Sequence, residues 1–234
     1  MTMIKINDFS KSFTIHHLNQ TREAVSGVTF DVKKGEFLGI VGESGSGKST
    51  ILKSIYGTYK PTTGAVTYAS ESFGDVDLHS ITDRALIQLR TKEIGYVSQF
   101  LKVMPRTTTL ELVINSMLEM GIDKDTAAVK AKETLRHFDI PEALWHNYPN
   151  TFSGGEKLRL NIACAVVKNP RLLLLDEPTA SLDEKSKLKV RETISKLIDN
   201  GTTLIGIFHD LEFMDGLCTK VYDMNTKSLE ERAV

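Results

Sequence analysis

The sequence predicts an α/β fold, in which helices flank a parallel core sheet, with an antiparallel β subdomain at the N-terminus and an inserted helical lobe. Three observations predict it. Short apolar runs alternate with helical patterns along most of the chain, as in parallel sheets with both faces covered. The first stretch instead alternates apolar with polar residues, which is typical of half-buried antiparallel strands. Residues 100–161 are nearly strandless and predict the helical lobe.

The N-terminal part begins with two alternating segments, "MIKINDF" and "AVSGVTFDV", which predict antiparallel strands. The apolar run 36–41 predicts a core strand, and "KSTILKSIYG" predicts a helix that ends at Gly57. "GAVTYAS" and residues 94–99 predict two further strands. We therefore expect the core to comprise residues 1–99 and 162–234, and the lobe 100–161, in a single domain spanning 1–234.

The C-terminal part continues with "LELVINSMLEMG" and "DKDTAAVKAKETLRHF", two predicted helices, the second with Asp125 as its N-cap. The next helix is predicted to open at "SGG" (153–155). "RLLLLDEP" predicts a central strand, and "KSKLKVRETISKLIDNG" predicts a helix that ends at Gly201. "TTLIGIFHD" predicts the last strand that the pattern shows.

Composition limits the classes of function. The net charge of −1 disfavours a nucleic-acid partner, because such proteins carry a basic footprint. No apolar run approaches the ~20 residues of a membrane helix, and the first residues lack a signal peptide, so we expect a cytoplasmic protein without direct membrane insertion. Cys164 and Cys218 lie outside any metal-ligand spacing, which predicts no structural metal.

The segment "GESGSGKST" matches the phosphate-binding pattern G-x-x-x-x-G-K-[ST], and it follows a predicted strand and opens a predicted helix. Glycines let backbone N–H groups close around phosphate oxygens. Lys48 would neutralise the β- and γ-phosphates, and the Ser49 hydroxyl would ligate Mg²⁺. The predicted nucleotide-binding residues here are Gly42, Glu43, Ser44, Gly45, Ser46, Gly47, Lys48, Ser49 and Thr50.

Two carboxylates end the predicted central strand, at the edge where α/β sheets bind ligands. Asp176 is the predicted magnesium ligand, and Glu177 the predicted base that deprotonates water. Gln99 ends another predicted strand, where its amide would contact both metal and water. His209 ends a third and would contact the γ-phosphate.

A second anion site is predicted at the start of the "SGG" helix, because bare N–H groups and the positive end of the helix dipole point outward there. Its candidate residues are Ser153, Gly154, Gly155 and Glu156. Separately, the ring of Phe13 would stack on adenine, with Phe9 as the alternative. GTPase motifs (D-x-x-G and N-K-x-D) are absent from the sequence, which excludes that class.

The order of these motifs resembles that of the P-loop NTPases of ATP-binding-cassette (ABC) type over essentially the whole chain. "GESGSGKST" resembles Walker A, Gln99 the Q-loop, "FSGGE" the signature loop, "LLLLDE" Walker B and "ASLD" (180–183) the D-loop. The resemblance implies that Glu177 is the catalytic base, His209 the switch histidine and Phe13 the adenine-stacking ring. It also implies a head-to-tail homodimer, or a heterodimer with another ABC ATPase, in which one subunit's signature loop caps ATP and Mg²⁺ held by the other.

Further stretches of the sequence bear on which kind of ABC ATPase the chain resembles. "YVSQFLKVMPRTTTLELV", "PEALWHNYPNTFSGGE" and "GIFHD" are similar to the L-protein family of the carbon–phosphorus lyase systems of phosphonate breakdown, which implies that complex as partner. The alternative is the nucleotide-binding subunit of a membrane transporter of lipoprotein-release or macrolide-exporter type, with a permease as partner. Lys157-Leu158 departs from the usual glutamines after the signature loop. Under either alternative, the candidate docking residues are Phe100, Leu101, Val103 and Met104.

Overall fold

A computed structural model describes residues 1–15, 20–99, 101, 105–179, 182–208 and 211–232. The predicted switch histidine His209 lies outside the described residues. So do three of the predicted docking residues, Phe100, Val103 and Met104, and the first two residues of the predicted D-loop.

The described residues form strands and helices in the following chain order. The strands are β1 (Thr2–Ile15), β2 (Gln20–Lys33), β3 (Phe37–Val41), β4 (Thr63–Ser70), β5 (Gly74–Asp77), β6 (Ile94–Val97), β7 (Leu172–Asp176), β8 (Thr203–Ile207), β9 (Lys220–Asp223) and β10 (Ser228–Glu231). The helices are α1 (Lys48–Ile55), α2 (Asp83–Lys92), α3 (Thr109–Leu118), α4 (Lys124–His137), α5 (Gly154–Val166), α6 (Glu184–Asp199) and the short α7 (Leu211–Met214).

The strands form two sheets. The first is antiparallel, with strand order β2-β1-β4-β5, and contains both alternating N-terminal segments. The second has the order β10-β9-β3-β8-β7-β6, in which every pair from β9 to β6 is parallel and only the β10–β9 pair is antiparallel. The predicted fold class, a helix-flanked parallel sheet with an N-terminal antiparallel subdomain, is confirmed.

The core sheet is buried on both faces, as the sequence of β7 shows. Leu172 and Leu174 belong to a core that also contains residues of the antiparallel sheet and of α1. Leu173 and Leu175 point the other way, into a core shared with α5, α6 and the helices between β6 and β7. Because successive side chains of a strand alternate between faces, a continuous apolar run is what a strand covered on both sides requires.

The described residues between β6 and β7 form helices and turns only. The boundaries predicted for a helical lobe, 100 and 161, stay a prediction. One cap was predicted wrongly. Asp123, not Asp125, is the N-cap of α4, because its extended backbone lets its carboxylate accept the Thr126 N–H at 2.9 Å. None of the helices in the described part of the chain has the length and apolarity to cross a bilayer.

A buried ionic network lies at the opposite edge of the core sheet from the C-terminal ends of the parallel strands. Glu93, 4% exposed, accepts hydrogen bonds from the hydroxyls of Ser70 (3.0 Å) and Ser72 (2.8 Å) and pairs with Arg171 at 3.3 Å. Burial raises the pKa of Glu93, but the hydrogen bonds outweigh it and leave the pKa below its usual value. The network joins the β4–β5 turn to the starts of β6 and β7.

Candidate active site

The loop between β3 and α1 adopts a backbone that glycine permits. Gly45 and Gly47 have φ values of 83° and 93°, in the left-handed region. A Cβ on Gly47 would lie 2.5 Å from the carbonyl oxygen of Ala24, so a side chain there would collide with β2. The glycines of the predicted phosphate loop are thus needed both for the turn and for its contact with the antiparallel sheet.

Lys48, the first residue of α1, is enclosed by this loop. Its Nζ donates to the carbonyl oxygens of Gly42 (2.8 Å) and Glu43 (2.7 Å), and the residue is 4% exposed. Burial lowers the pKa of Lys48, and the negative charge of Glu177 partly opposes that shift. A cation is therefore fixed at the centre of the loop, facing the Glu177 charge.

A cavity of about 360 Å³ opens over the loop. It is lined by Phe13, Ile15, Arg22, Glu23, Ala24, Ser44, Gly45, Gly47, Lys48, Ser49, Thr50 and Glu177. Phe13, 36% exposed, lies at the end of β1 with its ring edge-on to Tyr59 at 5.1 Å. Phe9 is fully buried in the core between the sheets, so it does not reach the cavity. Of the two candidate rings, burial leaves Phe13 as the one able to meet a base.

The carboxylate of Asp176, at the end of β7, is held by two hydroxyls. Ser49 Oγ donates to Asp176 Oδ1 at 3.1 Å, and Tyr96 Oη donates to Oδ2 at 2.5 Å. Burial, together with the hydrogen bond to Asp176, raises the pKa of Tyr96, so its hydroxyl keeps the proton that it donates. The serine of the phosphate loop and the strand-end carboxylate, 127 residues apart in sequence, are thus in direct contact.

These oxygens fit the chemistry of Mg²⁺. This cation takes oxygen ligands and is usually bound by one or two carboxylates plus phosphate oxygens and water. Ser49 and Asp176 supply a hydroxyl and a carboxylate side by side. Among the described residues no group of three or more His, Cys, Asp or Glu could hold a metal ion.

Glu177 follows Asp176 with φ of 51°, an uncommon backbone for a residue other than glycine. Residues in such conformations cost roughly 1–3 kcal/mol and concentrate at functional sites. Here the left-handed turn places Glu177 in the wall of the cavity, across from Lys48. The residue proposed as the base thus lines the same cavity as the phosphate loop.

Several other predicted site residues do not line this cavity. Gln99 is exposed after β6 and does not line the cavity. Gly42, Glu43 and Ser46 belong to the loop but contribute no cavity wall; the first two give their carbonyls to Lys48. The residues predicted for the second anion site, 153–156, are also absent from the described lining.

Those four residues form the N-terminus of α5. Ser153 is the N-cap, and its Oγ accepts the Glu156 N–H at 3.3 Å while Glu156 Oε2 accepts the Ser153 N–H at 2.8 Å. This reciprocal pair is a capping box, which the S-x-x-E spacing signals. A Cβ on Gly155 would lie 2.7 Å from Ser186 Oγ, so this glycine lets α5 approach α6 closely. That Glu156 binds nucleotide stays a prediction; in this structure its carboxylate accepts hydrogen bonds from the N–H and the hydroxyl of Ser153.

Sequence patterns did not identify several cavity residues. Ile15, Arg22 and Glu23 reach the cavity because β1 and β2 extend beyond the alternating segments that predict them. Ala24, the first residue of the second segment, was predicted as part of a strand and not as a site residue. Tyr96 was read only as part of an apolar strand, although it contacts Asp176. The capping box of α5 is a missed feature that a local spacing could have revealed.

Known proteins share this fold and sequence. Residues 25–180 match the family described as ABC transporter. The chain is 36% identical to an uncharacterized ABC transporter ATP-binding protein of Thermotoga maritima, over 99% of this chain and 98% of the relative. It is also 36% identical to the lipoprotein-releasing system ATP-binding protein LolD of Geobacter metallireducens, over 89% and 90% respectively. The dimeric ATP-binding cassette MJ0796, solved with ADP and Pi, superposes with a TM-score of 0.87 at 28% identity, covering 99% of this chain and all of that one.

None of these relatives is named as a carbon–phosphorus lyase protein, so they give no support to the finer resemblance. The comparisons agree with the broader resemblance to ABC ATPases, which the order of the motifs indicated. The chain belongs to the ABC transporter family as an ATP-binding subunit, and, like other members of that family, it binds ATP with Mg²⁺ and hydrolyses it.

Proposed function

We propose that this protein is the ATP-binding subunit of a membrane transporter of the lipoprotein-release kind, and that two copies enclose ATP between them. The observation that carries the proposal is the one-sided cavity. Its described walls come from the phosphate loop, α1, the first two strands and Glu177, with no residue from the helices between β6 and β7 or from the start of α5. A nucleotide in this cavity would meet one half of a site.

The missing half has the right chemistry at the N-terminus of α5. The first N–H groups of a helix have no intrahelical acceptor, and the helix dipole is positive at that end. Ser153 and Glu156 cap each other, and their hydrogen bonds hold the first turn of α5 in shape. Gly154 and Gly155 lie between the two capping residues, so their backbone belongs to the same turn. Such a turn suits the γ-phosphate of a nucleotide whose charge Lys48 of the second copy already neutralises. The dimeric MJ0796, similar over its whole length, supports this arrangement.

Within each site, the chain's own residues have distinct tasks. Lys48 and the loop N–H groups hold the phosphates, and the Phe13 ring stacks on the base. Ser49 and Asp176 would hold Mg²⁺, which would neutralise charge on the phosphate oxygens. Glu177 takes the proton of the attacking water. Gln99 and His209 are proposed to contact the γ-phosphate end of the site once the dimer has formed.

A groove of about 640 Å³ between α1, β6, α3 and α5 is the proposed docking site for a permease segment. Its wall combines aromatic and apolar side chains, such as Tyr56, Leu101 and Leu112, with polar and charged ones. The polar and charged members are Lys53, Thr58, Ser98, Asn115, Ser116, Glu119 and Asn161. Leu101 is the one predicted docking residue that the structure describes, and it lies in this wall. A permease segment that carries both apolar and polar side chains fits this lining. The relatives named as subunits of a lipoprotein-releasing system support such a partner.

The carbon–phosphorus lyase complex is the competing partner, and one capture experiment separates the two. The tagged protein, carrying Glu177→Gln, is recovered with ATP from detergent-solubilised cells and its partners are identified by mass spectrometry. We expect an integral membrane permease. Recovery of lyase subunits without a permease would overturn the proposal.

Matched variants test the docking groove in the same experiment. Leu101→Glu places a charge in the groove wall and is expected to abolish capture of the permease. Leu188→Glu places the same charge on α6, at a leucine already 62% exposed, and is expected to leave capture intact. Equal loss with both variants would argue against the groove as the docking site.

A further inference from the structure

Tyr96 is joined to the proposed magnesium carboxylate without belonging to any recognised motif. It lies on β6, beside β7, and its hydroxyl donates to Asp176 Oδ2 at 2.5 Å. The other carboxylate oxygen, Oδ1, accepts from Ser49 Oγ at 3.1 Å. Each oxygen of one carboxylate is thus held by a different hydroxyl, one from the phosphate loop and one from the neighbouring strand.

The Tyr96 ring is itself held in place. Its centroid lies 4.9 Å from that of Tyr56, at the end of α1. Arg90 fixes Tyr56 in turn: its Nε donates to the Tyr56 carbonyl oxygen at 2.8 Å, and its guanidinium lies 4.7 Å from the Tyr56 ring. A phenol supported in this way delivers its proton from a fixed position, so it restricts the rotation of the Asp176 carboxylate.

We propose that Tyr96 is a positioning residue for the metal site: by bonding Asp176 Oδ2, it keeps Oδ1 directed toward Ser49, where Mg²⁺ binds. The inference rests on the proposed role of Asp176 as a magnesium ligand. Groups that orient a metal ligand typically change metal affinity 10- to 100-fold when removed. A tyrosine that served only to fill the core would affect metal-free and metal-dependent binding alike.

The test is Tyr96→Phe, which keeps the ring and removes the donor. Affinity for Mn²⁺ in the presence of ADP is measured by electron paramagnetic resonance, and affinity for ADP alone is measured in EDTA. We expect Mn²⁺ binding to weaken roughly 10-fold or more while ADP binding in EDTA is unchanged. Tyr222→Phe, which removes a buried phenol hydroxyl from β9 of the same sheet, is the control and should change neither.

Two outcomes with Tyr96→Phe would show that the positioning role is wrong. Unchanged Mn²⁺ affinity in Tyr96→Phe, or an equal loss of ADP binding in EDTA, overturns it. Tyr96→Met, which also lacks the donor, gives the same readout if the phenylalanine variant folds poorly. Asp176→Asn separates the positioning role of Tyr96 from the proposed role of Asp176 as a magnesium ligand. If Asp176→Asn leaves Mn²⁺ affinity intact, the metal site itself is misassigned, whereas loss in Asp176→Asn but not in Tyr96→Phe refutes the positioning role alone.

Discussion

Two helices of this protein begin with the same capping box, which allows the proposed nucleotide role of Ser153 to be separated from its structural role. At α5, Ser153 and Glu156 exchange hydrogen bonds, and at α3, Thr108 and Glu111 do the same. In each, the cap N–H donates to the glutamate at 2.8 Å, and the glutamate N–H donates back to the cap hydroxyl at 3.3–3.4 Å. Only the first of these helices is proposed to meet a nucleotide.

Replacing either cap with alanine should cost similar stability. Loss of a Ser or Thr N-cap typically costs about 1 kcal/mol. In a chain of this size that corresponds to a fall of roughly 2–4 °C in Tm. We therefore expect Ser153→Ala and Thr108→Ala to melt close to one another.

Their effects on ATP-driven dimerisation should differ. The Ser153 hydroxyl here donates to Glu156 Oε2 at 2.8 Å, and we expect it to donate instead to the γ-phosphate once the dimer has formed. A hydrogen bond to a charged group contributes about 1.5–3 kcal/mol, so loss of the Ser153 hydroxyl should weaken each ATP-bound interface roughly 10- to 150-fold. The assay is analytical ultracentrifugation with ATP and Mg²⁺ in a Glu177→Gln background, which slows turnover. Thr108→Ala should dimerise like the parent. Equal dimerisation of both variants, or equal weakening, would refute the reasoning.

Three further predictions follow from burial and contacts. Phe13→Ala should weaken ATP binding roughly 2- to 13-fold by titration calorimetry, whereas Phe9→Ala should instead lower the free energy of unfolding by about 3–5 kcal/mol. Gly47→Ala should abolish ATP binding in the same titration, because its Cβ would lie 2.5 Å from a β2 carbonyl; near-normal affinity would contradict the loop geometry. Glu93→Gln should lower the free energy of unfolding in urea by about 2 kcal/mol at pH 7. Because the folded pKa of Glu93 is depressed, its stabilisation is present above the unfolded pKa of about 4.3 and is lost as pH falls through the folded value, so the difference between the two proteins should shrink progressively as pH falls below about 4.3.

Much of the core was predictable because its signals are local. The phosphate loop, the apolar run of β7 and the glycines that end α1 and α6 each carry their reason within a few residues, and Gly57 and Gly201 have the positive φ that a helix end requires. The short strands β5, β9 and β10 were not predicted. Their segments carry little apolar alternation. β5 and β10 each pair with the strand directly before them, whereas β9 also pairs with β3, which is distant in sequence.

In the candidate site, too, the residues with a local sequence signal were predicted and the others were not. Motif residues such as Lys48, Ser49 and Asp176 were identified from spacing, and the fold brings them together. Arg22 and Tyr96 were not, because their positions depend on how β2 pairs with β1 and how β6 pairs with β7. The proposed contact of Ser153 with nucleotide involves a second copy of the chain, which no local pattern of one chain describes.

The central claim, that each cavity is completed by the α5 N-terminus of another copy, is tested most directly by cross-linking. Cys164 and Cys218 are first replaced with alanine. Ser44→Cys, in the cavity wall, is placed on one sample of the chain and Ser153→Cys on a second, and the two are mixed with ATP, Mg²⁺ and a mild oxidant. A disulfide needs Cα atoms within about 7 Å, so it reports direct apposition. We predict a cross-linked species of twice the chain mass that requires both variants and ATP. Failure to cross-link in the mixture, with an internal disulfide forming when both substitutions share one chain, would contradict the account.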